Sequence, residues 1–166
     1  SGFSWHHKII VIDNRFVSER VNQLRNWNIE FIHGDILNKE LIKQHFKDAD
    51  IVHHLAGVTD VPRIKSESSS EKDAKIKLVA QEGTQNILDE IDDKCKIVFP
   101  STHVVFEGIE KVRNNIEENE NTKPILSYST SKAINEKQLK ESGKNYIILR
   151  LGSVYGYSTD TARIDI

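Results

Sequence analysis

A doubly wound α/β fold on a parallel sheet is the class this sequence predicts, on two observations. Short apolar runs rich in β-branched residues alternate with stretches of helical spacing, the pattern of right-handed βαβ winding. Asp13, Asp35, Ala56-Gly57 and Ser101-Thr102 each fall at or just past the carboxyl end of such a run. Ligands bind outside the carboxyl ends of the strands in these sheets. The four groups were located by strand pattern and not by motif, so their coincidence is a functional signal.

Taken in order, Lys8-Ile-Ile-Val-Ile-Asp13 is a short apolar run closed by an acid and reads as a buried parallel strand. Asn28-Ile-Glu-Phe-Ile-His33 alternates and reads as a second, ending at Gly34-Asp35. From Asn38, a plausible cap, Leu41, Ile42, His45 and Phe46 outline a short amphipathic helix. Asp50-Ile-Val-His-His-Leu55 is a third strand. Residues 60–75 are polar and serine-rich, a solvated loop or the frayed start of a helix, and the charged run from Ser66 to Lys77 reads as solvated. Ile76, Val79, Ala80, Gly83, Ile87 and Leu88 then recur at helical spacing to about Ile91. Lys96-Ile-Val-Phe-Pro100 is a fourth strand, and Glu107–Lys123 is acidic and irregular. Ser127 or Tyr128 opens a helix that Gly143 stops, and Asn145-Tyr-Ile-Ile-Leu-Arg150 is a fifth strand.

The 166 residues are 37% hydrophobic and 29% charged with net charge −2, enough for one domain with a core. That balance gives no electrostatic footprint for nucleic acid or an anionic membrane. No apolar run approaches the roughly 20 residues of a membrane helix, and no signal-peptide pattern is present. Cys95 stands alone, so no internal disulfide is expected and a cytoplasmic location is. His53 and His54 are adjacent on a strand and point to opposite faces, as paired ligands would not. With no cysteine or carboxylate spacing beside the histidines, no metal site is expected. There is no methionine, even at position 1, which leads us to expect a piece of a longer chain.

Tyr128-Ser-Thr-Ser-Lys132 places a phenol and an amine about one turn apart on one helix face. An ammonium there can lower the phenol's pKa, and a nearby hydroxyl such as that of Thr102 can share the proton being moved. Seven pieces occur in order and at ordinary spacing: Val-Ile-Asp13-Asn14, Gly34-Asp35-Ile36, His54-Leu55-Ala56-Gly57, Gly83-Thr84-Gln-Asn86-Ile-Leu88, Ser101-Thr-His-Val-Val-Phe-Glu-Gly108, Tyr128-Ser-Thr-Ser-Lys132 and Leu149-Arg150…Val154-Tyr-Gly156. Together they resemble the extended short-chain dehydrogenase/reductase superfamily, in particular its NAD-dependent nucleotide-sugar epimerase/dehydratase branch. The match runs from about Lys8 to Gly156.

The resemblance implies a Rossmann-like sheet over residues 1–166, with 151–166 opening a substrate-binding region. It implies that Tyr128 is the general base or acid on a sugar hydroxyl, that Lys132 holds the nicotinamide ribose, and that Thr102 hydrogen-bonds the reacting oxygen. Asp13, with Asn14 beside it, would accept from the adenosine ribose, which favours NAD over NADP, although Arg15 is placed to accommodate a phosphate. Asp35 and Ile36 would bracket the adenine, and Leu55-Ala56-Gly57 would let the cofactor pass closely. A nucleotide-sugar substrate and a homodimer follow from the same likeness. Arg150 reads as a structural ion-pair partner.

The departures are specific. The Gly-x-x-Gly-x-x-Gly phosphate loop and its strand are not found, Ser1-Gly2-Phe3 reading either as the last trace of such a loop or as a cloning remnant, and the carboxyl-terminal substrate region is not found either. Ala80 and Ser153 stand where the family has asparagine. The first family strand lies between the one ending at Asp13 and the one ending at Leu55, so its absence predicts two strands facing each other across about 5 Å. Two other readings stay open. One is an NADP-linked keto-sugar reductase, which the Ser-Thr-x-x-Val-Phe-x-Gly form also resembles; the other is a non-catalytic nucleotide- or partner-binding module.

Overall fold

The computed structural model describes residues 7–58, 69–111 and 113–154. Ser1-Gly2-Phe3, Ser66 and Tyr155-Gly156, all singled out above, lie outside them. In chain order the elements are β1 (Ile10–Asp13), α1 (Ser18–Asn26), β2 (Glu30–His33), α2 (Lys39–Phe46), β3 (Ile51–His53), α3 (Ser70–Glu90), β4 (Lys96–Thr102), a 3-10 turn (His103–Phe106), α4 (Ser127–Glu141) and β5 (Asn145–Leu151).

All strand pairs among the described residues are parallel, and they form two sheets, β1-β2 and β3-β4-β5. β1 and β3 are not hydrogen-bonded neighbours. That is the break expected where the first family strand is not found. In the larger sheet Val98 lies opposite His53 on one side and Ile147 on the other, and Thr102 lies opposite Leu151.

One face of this sheet carries the core. Ile97 and Phe99 of β4 are fully buried, and they cluster with Val52 of β3, Ile42 of α2, Ile87 and Leu88 of α3 and Leu139 of α4. Each such side chain contributes about 1.5–3 kcal/mol when removed from water. The opposite face presents Ile51, Ile147, Leu149 and Leu151, all more than 40% exposed. α1 packs on the β1-β2 pair through Val21. Phe16, just ahead of this helix, meets Phe31 edge-on at 5.8 Å between ring centroids.

The helices confirm most caps and correct two readings. Asn38 caps α2 by accepting from Leu41 N at 3.1 Å, and Gly143 ends α4 at φ +70°. α1 had no counterpart in the sequence reading. It holds one buried residue, Val21, and has no side-chain cap, so neither periodicity nor capping marks it. Its end is legible only in three dimensions. Asn28, read as the start of a strand, takes φ +58°; its N–H and that of Ile29 reach back to Arg25 O and Leu24 O, closing the helix in a Schellman turn. α3 begins at Ser70, six residues before its apolar stripe, because Ser69 accepts from Lys72 N. Of the two readings left open for residues 60–75, the described part from Ser70 takes the second, the start of a helix.

Candidate active site

The candidate site residues Asp13, Asn14, Asp35, Ile36, Leu55, Ala56, Gly57, Thr102, Tyr128 and Lys132 lie at or just past the carboxyl ends of the strands or in the amino-terminal turns of α4. At β1 and β2, Asn14 Nδ2 donates to Asp35 Oδ2 at 3.0 Å, and Asn14 O lies 3.0 Å from His33 Nε2. Asp13 is exposed and accepts from Arg15 N through one oxygen, leaving the other to offer. Asp35 Oδ1 accepts from Leu37 N at 2.9 Å. This turn is held from α3: Asn86 Nδ2 donates to Ile36 O at 3.0 Å, and a Cβ on Gly83 would sit 2.8 Å from Ile36 Cγ2. Gly83 thus allows close approach of helix and loop.

Past β3, Leu55 is 69% exposed, Ala56 and Gly57 are exposed too, and a Cβ on Gly57 would meet nothing within 4 Å. Among the described residues no packing requires that glycine. It leaves an open shelf at a strand end, which fits the close passage of a flat or phosphorylated ligand.

At β4, Thr102 Oγ1 accepts from Val104 N at 3.3 Å and caps the 3-10 turn, so its proton is left to donate elsewhere. Lys132 Nζ donates to Pro100 O at 2.9 Å, two residues before Thr102. It lies 4.5 Å from the Phe99 ring centroid and 5.9 Å from that of Tyr128. Burial pulls its pKa down from 10.5 to about 8. One of the ammonium's three donors is used by Pro100, which leaves two for a ligand. The geometry therefore brings Tyr128 and Lys132 together beside the Thr102 strand end.

Behind them is a buried layer that the sequence reading treated only as motif. His54 is 3% exposed; its Nε2 is 2.8 Å from Thr84 Oγ1, which also accepts from Asn135 Nδ2 at 2.8 Å. Asn135 Nδ2 also reaches Ala80 O at 2.8 Å, so the Ala80 position serves here through its backbone. His53, by contrast, is exposed. Among the described residues no three His, Cys, Asp or Glu side chains are grouped to share an ion.

Burial first, and then the charge of Lys132, lower the His54 pKa from 6.5 to about 4. Between those pH values the unfolded chain binds a proton that the folded chain refuses. Stability present above pH 6.5 is therefore given up as the pH falls toward about 4, by roughly 3 kcal/mol in all. Urea unfolding across this range is expected to show the loss, and His54→Phe to flatten it.

Glu136, 2% exposed on α4, holds the far side of the site. Ser101 Oγ donates to its Oε1 at 2.6 Å, and Arg150 donates to both oxygens, from Nε at 2.9 Å and Nη2 at 2.7 Å. Arg150 is the structural partner its position suggested. Glu107, inside the Ser101–Gly108 motif, accepts from Ile125 N and Leu126 N at 2.7 Å each.

Comparisons with known proteins agree with this fold. The family model described as "NAD dependent epimerase/dehydratase family" matches residues 3–165. A UDP-glucose 4-epimerase of Thermotoga maritima, solved with UDP-glucose, is 25% identical with a TM-score of 0.69 over 87% of this chain and 47% of that one. The Bordetella bronchiseptica enzyme WbmH, solved with NAD+, is 25% identical with a TM-score of 0.71 over 90% of this chain and 48% of that one. The 3beta-hydroxysteroid-dehydrogenase/decarboxylase isoform 2 of Arabidopsis thaliana is 29% identical over 143 residues, 80% of this chain and 24% of that protein. The chain thus spans about half the length of these structures and a quarter of the plant protein. A Rossmann-like parallel sheet and a family match over nearly every residue lead to one conclusion: the chain belongs to the NAD-dependent epimerase/dehydratase family.

Proposed function

We propose that this chain is the cofactor-binding and acid–base part of an NAD-dependent epimerase or dehydratase of nucleotide sugars, working through a keto-sugar intermediate. One observation carries the reading. A half-buried ammonium, Lys132, sits between the Pro100 carbonyl and the Tyr128 ring, and Pro100 stands two residues before Thr102. In this role Tyr128, ionised with the positive charge of Lys132 favouring its phenolate, accepts the proton of a sugar hydroxyl that Thr102 orients, and becomes the neutral phenol as hydride leaves the same carbon. When bound, NAD supplies the hydride acceptor. Asp13, Asp35 and the open shelf of Leu55-Ala56-Gly57 are the residues that would hold it. Residues 151–166 would open the sugar-binding region, in keeping with relatives about twice as long.

The test is the fate of the hydride. UDP-glucose deuterated at its reacting carbon, incubated with the protein and a trace of NAD, is expected to give an epimer that keeps the label, with no net NADH. The likeness to the plant hydroxysteroid dehydrogenase favours a second reading, net oxidation of a secondary alcohol on another ring. NADH accumulating with a hydroxysteroid and not with UDP-glucose would decide for it.

A further inference from the structure

Helix α4 carries both Tyr128 and Lys132, yet it starts without a cap of its own. Its N-cap residue is Leu126, whose side chain has no oxygen to accept the orphan amides, and the first turn has no acid. The N-cap amide and the amide before it find their acceptor far away in sequence. Glu107 Oε1 accepts from Ile125 N and Leu126 N at 2.7 Å each, and Ser129 Oγ is also within hydrogen-bonding reach of it.

Glu107 immediately follows the 3-10 turn that Thr102 begins. Around it the same segment is laced to the approach of α4. Gly108 N donates to Lys123 O at 2.8 Å and Lys123 N to Val105 O at 2.8 Å. A Cβ on Gly108 would lie 2.5 Å from Lys123 O, so this contact needs glycine. The strand end bearing Thr102 and the helix start bearing Tyr128 are joined by Glu107 and Gly108.

We propose that Glu107 is a positioning residue for the proton-transfer pair: its carboxylate caps α4 in trans and fixes the turn bearing Tyr128 against the Thr102 strand end. This rests on the reading of Tyr128 as the acid–base group. Burial works against ionisation of Glu107, and the hydrogen bonds from Leu126, Ser129 and Ile125 outweigh it, holding its carboxyl below the ordinary value. The acceptor is therefore a carboxylate at neutral pH.

Glu107→Ala removes both acceptor and charge; Glu107→Gln removes the charge and keeps an oxygen to accept. Two readouts separate the roles. Hydrogen exchange at the Ile125 and Leu126 amides is expected to speed up at least about tenfold in Glu107→Ala and by less than about threefold in Glu107→Gln. The Tyr128 phenol, titrated by ultraviolet absorbance against the same variant carrying Tyr128→Phe, is expected to rise in midpoint in Glu107→Ala, as the loosened turn leaves Lys132. In Glu107→Gln it is expected to stay or fall.

A fall in both variants would mean that only the charge is felt, and an unmoved midpoint in both would mean that the turn is held without Glu107. Either overturns the proposal. Should Glu107→Ala fail to fold, Ser129→Ala removes one donor and keeps the charge; an unmoved midpoint there overturns it too. Turnover surviving in Tyr128→Phe would defeat the acid–base reading instead, and the phenol midpoints would still decide for or against the cap.

Discussion

Tyr128→Phe is expected to lower turnover by on the order of a thousandfold, the usual worth of a positioned general acid–base group, and to leave NAD binding near its original strength. The substitution removes one oxygen and keeps the ring that Lys132 Nζ faces at 5.9 Å. Lys132 remains anchored to Pro100 O by a bond that does not involve the phenol. The residues proposed to hold the adenosine half, Asp13, Asp35 and Leu55-Ala56-Gly57, lie on other strands and do not depend on Tyr128. Loss in the chemical step without loss in binding is the mark of an interaction made only in the transition state. Steady-state turnover and calorimetric titration with NAD measure the two halves separately. Undiminished turnover in this variant would remove Tyr128 from the mechanism; NAD binding lost along with turnover would make it a cofactor-holding group.

The sequence was informative wherever one residue type answered one local demand. Strand positions followed from β-branched runs, the start of α2 from Asn38, and the end of α4 from Gly143. The break between β1 and β3 among the described residues was foreseen because the family's first strand has a fixed place between them. Legibility failed where the partner is remote. α1 buries only Val21, so it carries no stripe to read, and its closing residue, Asn28, sits inside what reads as a strand. Gly83, Thr84 and Asn86 were recognisable as a motif, but their tasks are set by Ile36 and His54, at least 30 residues away. For the same reason Glu107 read as one more acid in an acidic segment, although its position inside the Ser101–Gly108 motif was the available signal.

Glu136→Ala is expected to cost about 3 kcal/mol or more, the range for removing one partner of a buried ion pair. The carboxylate is 2% exposed and receives three donors, two from Arg150 and one from Ser101. Burial alone would favour its neutral form; the bonds from Arg150 and Ser101, with the charges of Arg150 and Lys140, hold its pKa below the ordinary carboxylate value. Without it, the Arg150 guanidinium, 13% exposed as a side chain, keeps among the described residues the Glu118 carbonyl and charge and the Phe106 ring. Lys140, half exposed at 3.6 Å, adds little. If the loss comes from the orphaned charge rather than from the worth of the pair, Glu136→Leu combined with Arg150→Met should recover most of it, and the cycle of single and double variants should be strongly non-additive. Urea unfolding of the four proteins reads this directly. Additive losses would mean that each residue acts through its own packing. The pair joins α4 to β5, and through Ser101 to β4, one residue from Thr102 and one helical turn from Lys132. A double variant that regains stability but not turnover would show that the ion pair is kept for the spacing of the proton-transfer groups, with stability as its lesser effect.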